Sequence, residues 1–230
     1  MVGLVLLPVT CFSQAFQDLD FESVQIVHTG DFYPDSVALS NALPHWQGTV
    51  QGSPVSFAIY NGVVLDYNAV GIYDANSGGA TPPPMFGKYS AYLESSYGGP
   101  SDPADAELSQ TGLIPSNAKS IWFATTPYSL VGNPNLQPND LKPIFSVNGQ
   151  SISYTAMDVE TNYILWAADI STYANTTAEI RFAVKVASGV AIGLDDISFS
   201  PEVVPEPTTL GLTAMALTFL GLGFGLRRRK

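Results

Sequence analysis

Cysteine is nearly absent from this chain: Cys11 is the only one in 230 residues. It sits in a short apolar stretch at the N-terminus, so the body beyond it has no thiol. That excludes a disulfide framework, a thiolate nucleophile and a cysteine-ligated zinc in the body. Histidine is scarce as well, with only His28 and His45. Basic residues number nine against twenty acids, and four of the nine are the closing Arg227, Arg228, Arg229 and Lys230. From Phe16 to Val203, five bases face nineteen acids, a net of −14. Nucleic-acid binding needs a basic face against phosphates, and this composition excludes it. An acidic, lysine-poor surface instead suits a secreted protein among cations and neutral or hydrated polymers. No window sustains a 3.6-residue apolar period, which argues against a helical body.

What the chain does have is concentrated at its ends. Val2-Gly3-Leu4-Val5-Leu6-Leu7 followed by Ser13-Gln14-Ala15 reads as a secretory signal peptide with a small-x-small cleavage site. Cleavage would leave Phe16 at the start. No Lys or Arg precedes the apolar stretch, which leaves open whether Met1 is the true start. Cys11 does not make a lipoprotein site, because Thr10 stands where Gly, Ala or Ser is needed.

At the other end, Pro205-Glu206-Pro207-Thr208-Thr209 precedes an apolar run of seventeen residues, Leu210 to Leu226. That length is at the short limit of the roughly 17–25 residues that span a bilayer as a helix. The basic cluster after it stays cytoplasmic by the positive-inside rule. Spacer, apolar span and basic stop, in this order, resemble the PEP-CTERM sorting signal of Gram-negative bacteria that make exopolysaccharide. The motif residues on that resemblance are Pro205, Glu206, Pro207, Arg227, Arg228 and Arg229. The resemblance implies recognition by exosortase, a membrane protease-transpeptidase, with cleavage near Pro205. It also implies passage through the inner membrane to the cell surface or the exopolysaccharide matrix. The simpler alternative is an unprocessed tail anchor.

Between these signals lies one domain of about 190 residues, enough for a real core. Apolar residues alternate by two along Ala178 to Val186, with Ile180, Phe182, Val184 and Val186 on one face and Glu179, Arg181 and Lys185 on the other. That is a strand with one wet face. Asn61-Gly62 and Asn148-Gly149 each stand between apolar runs and predict type I′ hairpins. Further strands are expected over Leu19–Val27, Ala69–Tyr73, Tyr89–Glu94, Ala106–Gln110, Ser120–Thr125, Asn162–Ala168 and Ile192–Phe199, with a helical turn over Asp169–Tyr173. Thr81-Pro82-Pro83-Pro84 and the stretch from Val131 to Pro143 read as long loops. Short strands at this spacing predict an all-β sandwich or barrel. Leu19-Asp20-Phe21-Glu22, Leu43-Pro44-His45-Trp46, Leu108-Ser109-Gln110-Thr111-Gly112, Asp169-Ile170-Ser171-Thr172-Tyr173-Ala174 and Leu194-Asp195-Asp196-Ile197-Ser198-Phe199 follow in order along the body. This ordered set resembles jelly-roll galactose-binding and carbohydrate-binding modules, which implies an antiparallel jelly-roll β-sandwich. The expected layout is a signal peptide over 1–15, the sandwich over 16–200, a linker over 201–209, a transmembrane helix over 210–226 and a basic cytoplasmic tail over 227–230.

Two kinds of site are expected. Asp18, Asp20 and Glu22 alternate along the first predicted strand, and Asp195 and Asp196 lie on the last. First and last strands are often neighbours in a jelly roll, and crowded carboxylates suit a structural calcium ion. Glu22 with Asp196 is the leading pair, with Asp20 and Asp195 in reserve; the alternative is a set of solvated surface acids. Asp74-Ala75-Asn76-Ser77-Gly78-Gly79 is a turn, not an EF-hand, because Met85 stands at the twelfth position. Sugar rings pack on exposed aromatic faces, and Tyr97, Tyr128 and Trp46 are the candidate glycan contacts. No nucleophile elbow, zinc helix or phosphate loop occurs, and no catalytic residue is assigned. The expected role is therefore structural or adhesive, in contact with exopolysaccharide or surface glycans. A carbohydrate-binding module with a specific site is the first alternative. A secreted hydrolase with a carboxylate pair is the second.

Overall fold

The computed structural model describes residues 14–30, 35–62, 68–77, 85–95, 105–129, 142–185 and 190–205. Among them the strands are β1 (Ser36–Ala38), β2 (Gln47–Val50), β3 (Ser53–Pro54), β4 (Phe57–Tyr60), β5 (Ala69–Asp74), β6 (Tyr89–Glu94) and β7 (Asp105–Leu113). They continue with β8 (Ser120–Ser129), β9 (Ile144–Val147), β10 (Gln150–Ser151), β11 (Tyr154–Val159), β12 (Ile164–Asp169), β13 (Thr177–Lys185) and β14 (Val190–Ser200). Helix α1 (Leu39–Ala42) and a 3-10 turn (Ser171–Tyr173) are the helical pieces described. One sheet runs β1-β4-β5-β6-β14-β8-β12-β11, and the other runs β10-β9-β13-β7-β2-β3. This is an all-β sandwich. From β6 to β9 the chain changes sheet at every strand.

Strand β13 shows why the layers close. Ala178, Ile180, Phe182 and Val184 are buried on its inner face. Phe182 pairs in register with Phe145 of β9 and Leu108 of β7. Phe123 reaches across from β8 in the opposite sheet, its ring 5.0 Å from Phe182 and 5.6 Å from Phe145. Tilted and edge-on rings at this distance add to the area they bury. Trp166 of β12 is also in the core, where its indole N–H donates to the Thr125 hydroxyl at 2.7 Å.

The Asn148-Gly149 hairpin forms as expected, with φ of 49° and 75° at its two turn residues. Asn61-Gly62 does not make one. Asn61 has a φ of 50°, but β4 runs parallel to β5, with Ile59 opposite Gly71 and Tyr60 opposite Ile72. Asn61 fastens the two strands instead: its N–H donates to the Ile72 carbonyl, and its Oδ1 accepts from the Asp74 N–H at 2.7 Å. Leu19–Val27 is likewise no strand. Asp18 and Phe21 have φ of 50° and 54°, which breaks any ladder. The segment is an irregular arm, pinned where Ile197 N–H donates to the Leu19 carbonyl and Gln25 N–H to the Asn41 carbonyl. Its alternating apolar residues bury Phe21 against Trp46, with ring centres 5.3 Å apart.

Both ends of the body meet at one place. The Gln14 carbonyl accepts the Leu113 N–H at 2.8 Å, and the Phe16 ring lies 5.2 Å from Phe199 near the end of β14. Beyond β14 the chain is held by two more bonds: Ser120 Oγ donates to the Glu202 carbonyl, and Glu202 N–H to Ser200 Oγ. Among the described residues no helix is long and apolar enough to cross a membrane. The run from Leu210 to Leu226 lies outside those residues, as do Met1 to Ser13 and most of the two proline-rich stretches.

Candidate functional site

The acids singled out in the sequence do not act as one group. Glu22 and Asp195 converge on the turn Phe86-Gly87-Lys88-Tyr89, one from the N-terminal arm and one from β14. Glu22 Oε1 accepts the N–H groups of Lys88 at 2.6 Å and Tyr89 at 3.0 Å. Asp195 Oδ2 accepts the Phe86 N–H at 3.1 Å, and its Oδ1 accepts the Asp196 N–H at 2.8 Å. Gly87 is required beneath Glu22. Its φ is 55°, and a Cβ there would lie 2.7 Å from Glu22 Cδ and closer still to Oε1.

The converging pair is thus Glu22 with Asp195, not Glu22 with Asp196. Asp196 sits in the β14 bulge with φ 46° and turns out to solvent. Asp20 is also exposed, and its Oδ1 faces the Glu22 N–H at 3.4 Å. Asp18 accepts from Ser23 N–H through Oδ1, while its Oδ2 is buried with no hydrogen-bond partner. Burial pushes the Asp18 carboxyl above its ordinary value. Among the described residues no three Asp, Glu, His or Cys side chains form a metal-holding group. A calcium ion at this turn would therefore draw on two carboxylates, with carbonyls and water completing the 6–8 oxygens it takes.

Asp195 is almost fully buried, and burial is the main reason its carboxyl is pushed up to about 7; the nearby charges of Asp196 and Glu22 push the same way. The folded state thus holds a proton that the unfolded chain releases near pH 4. Across that window the native form binds more protons, so stability falls as pH rises from about 4 to about 7. With chelator present, the melting temperature should drop between pH 5 and pH 8. Asp195→Asn should remove that part of the slope, and an unchanged slope would mean that Asp195 is ionised throughout.

The glycan candidates separate. Trp46 is 4% exposed, packed at a tilt against Phe21, with its indole N–H donating to the Asp18 carbonyl at 3.0 Å. It offers no open face, because a sandwich this size buries its largest apolar rings. Tyr97 lies outside the described residues, and of Tyr128 only the backbone is described, paired with Ala191 in β8. The Phe86–Tyr89 turn is hard to find by sequence as the acids' partner, since its contribution is backbone N–H groups that any residue carries. Gly87 was the one visible signal. Asp74 to Ser77 is a turn, as read: Asp74 Oδ1 accepts the Asn76 N–H at 2.8 Å.

Residues 203–230 match the family model for the PEP-CTERM protein-sorting motif. The chain carries a PEP-CTERM sorting motif. It begins three residues after β14 ends and implies an exported protein, sorted by exosortase and anchored in the membrane before processing. No curated protein matches this PEP-CTERM chain. Three solved structures are similar in part. TmCBM61 in complex with beta-1,4-galactotriose shares 16% identity at a TM-score of 0.39, over 82% of this chain and 99% of that one. The enzymatically active domain of bacteriophage CBA120 tailspike protein 4 shares 13% at 0.36, over 68% of this chain and 19% of that one. The K1 cleaved adhesin domain of Lys-gingipain from Porphyromonas gingivalis W83 shares 13% at 0.32, over 70% and 99%.

Proposed function

We propose that this is an exported, exosortase-processed jelly-roll protein with a structural or adhesive role at the cell surface or in the exopolysaccharide matrix. The observation that carries the reading is the sorting motif placed directly after a finished β-sandwich. Phe16 and Phe199 touch, so a signal peptide before Phe16 and a membrane span after Leu210 would leave the body from one side. Such a body could hang from the inner membrane by either end and lose both segments without losing core. Its net charge of −14 suits a hydrated, cation-rich matrix. Fractionation of the native host tests the location. The protein is expected with surface or extracellular polymer, and recovery from the cytosol would overturn the reading.

The second part of the proposal is a structural calcium ion bridging Glu22 and Asp195. A divalent cation would relieve the repulsion between these carboxylates and hold Asp195 ionised, so its benefit grows above pH 7. Calcium at about a hundredfold excess over its Kd would stabilise by about 2.7 kcal/mol, or about 5–10 °C for a domain of this size. Differential scanning calorimetry at pH 8, with calcium and then with chelator, measures this directly. Glu22→Gln should abolish the difference. Equal melting temperatures in the two buffers would remove calcium from the account.

A further inference from the structure

Both chain ends leave the sandwich through one charge-poor end, and hydrogen bonds lace that end together. Leu113 N–H donates to the Gln14 carbonyl, Ile114 N–H to the Thr176 carbonyl, Ile170 N–H to the Lys119 carbonyl and Lys119 N–H to the Ser200 carbonyl. Along residues 14–17, 113–122, 167–177 and 198–205 the charged side chains are Lys119, Asp169 and Glu202, one base against two acids. Nearly all of the body's net −14 therefore lies elsewhere. Trp122 stands at this end. Its neighbours Ile121 and Phe123 point into the core, so its ring lies half-buried on the outer face of the sheet. The indole N–H donates to Ser120 Oγ at 2.9 Å, and the same hydroxyl donates to the Glu202 carbonyl at 2.7 Å. One residue further along, Val203 is 64% exposed. An amphipathic ring, an exposed valine and the exit of the tail thus share one small patch.

We infer that this end of the body rests on the headgroup layer of the membrane while the tail is intact, with Trp122 and Val203 as its contacts. The inference rests on the reading of Leu210 to Leu226 as a membrane span. Glu202 is pinned to Ser120, and from Glu202 to Leu210 is eight steps of chain, at most about 28 Å when extended. Part of that reach crosses the headgroup layer itself. So short a tether keeps the exit end beside the bilayer, at an effective concentration where a weak contact is enough. Tryptophan favours this layer because its ring is apolar and its N–H polar. Here the N–H is already bonded within the protein, so the ring enters lipid with no unmet donor. The scarcity of charge matters as well. An acidic face would have to shed water, and would be repelled by anionic lipid. The contact depends on the tether, so a cut near Pro205 ends it. While it lasts, it holds Pro205-Glu206-Pro207 at the interface where a membrane protease works.

The test uses the full-length protein inserted in vesicles of phosphatidylcholine brominated near the top of one acyl chain, with unbrominated vesicles as reference. Bromine quenches the fluorescence of a tryptophan that it touches. Trp46 and Trp166 are 4% and 3% exposed, which leaves Trp122 as the ring that lipid can reach. Roughly one third of the emission should be lost, as one ring of three is in contact. Trp122→Phe should leave no quenching. Val203→Asp, at an exposed position outside the core, should reduce it about twofold or more, because a carboxylate there must stay hydrated. Equal emission in the two kinds of vesicle, quenching that survives Trp122→Phe, or quenching untouched by Val203→Asp overturns the contact. Flotation of the same vesicles separates this from the anchor itself. A chain that floats but is not quenched loses the contact alone; a chain that does not float loses the span and the contact together.

Discussion

Gly71→Val should leave most of the protein unfolded, and Gly71→Ala should cost about 3 kcal/mol or more, at the upper end for an overpacked core. Gly71 lies in the middle of β5, opposite Tyr92 of β6 and Ile59 of β4. A Cβ at Gly71 would fall inside the Tyr92 ring, far below van der Waals contact with Cζ, Cε1 and Oη. The ring has no way out. Tyr92 is fully buried and stacked on Tyr73 at 4.2 Å, and its hydroxyl donates to the carbonyls of Gly62 and Ile59. These residues form a second apolar cluster with Ala69 and Ala191, on the face of the sheet away from the main core. Total stability for a domain is only about 5–15 kcal/mol, so this one methyl group takes a large share. Urea unfolding of Gly71→Ala measures the loss. Pairing it with Tyr92→Leu should recover part of it, as coupled neighbours do. A loss below about 1 kcal/mol would mean that the ring does not occupy this place.

Replacing Pro205-Glu206-Pro207 with three alanines should abolish processing in the native host while leaving the body's stability unchanged within about 0.5 kcal/mol. The separation follows from where the fold stops. The last described side-chain bonds near the C-terminus are those joining Ser120, Ser200 and Glu202. Of the three motif residues, Pro205 alone lies among the described residues, five positions past the end of β14. The expected phenotype is near all-or-none: full-length chain retained in the membrane, none released. Removing Arg227, Arg228, Arg229 and Lys230 should also disturb sorting, by taking away the charges that keep the C-terminus cytoplasmic. A triple-alanine chain that is released normally would show that the motif is not what the host reads.

Much of the sandwich could be read from residues alone, and the failures have one physical pattern. Strand β13 and the Asn148-Gly149 turn were legible because local chemistry decides them: two-residue alternation, and positive φ at adjacent Asn and Gly. Leu19–Val27 alternates just as well, yet tertiary contacts with Ile197 and Asn41 bend it into an arm. Asn61-Gly62 has hairpin chemistry, but the parallel pairing of β4 with β5 overrides it. At the candidate site, the sequence could name Glu22 and Asp195 but not match them, because their common partner is a set of backbone N–H groups in the Phe86–Tyr89 turn. Trp46 carried the right chemistry for a sugar platform, and burial decided against an open face. The sorting motif needed no structure, because its parts stand contiguous and in order in the sequence.

The most direct measurement is the intact mass of the protein isolated from its own host. A single species running from Phe16 to a new end near Pro205 is expected, lighter by both the leader and the tail. A chain whose mass still includes every residue through Lys230 would contradict the claim that the last segment is a membrane address removed after use.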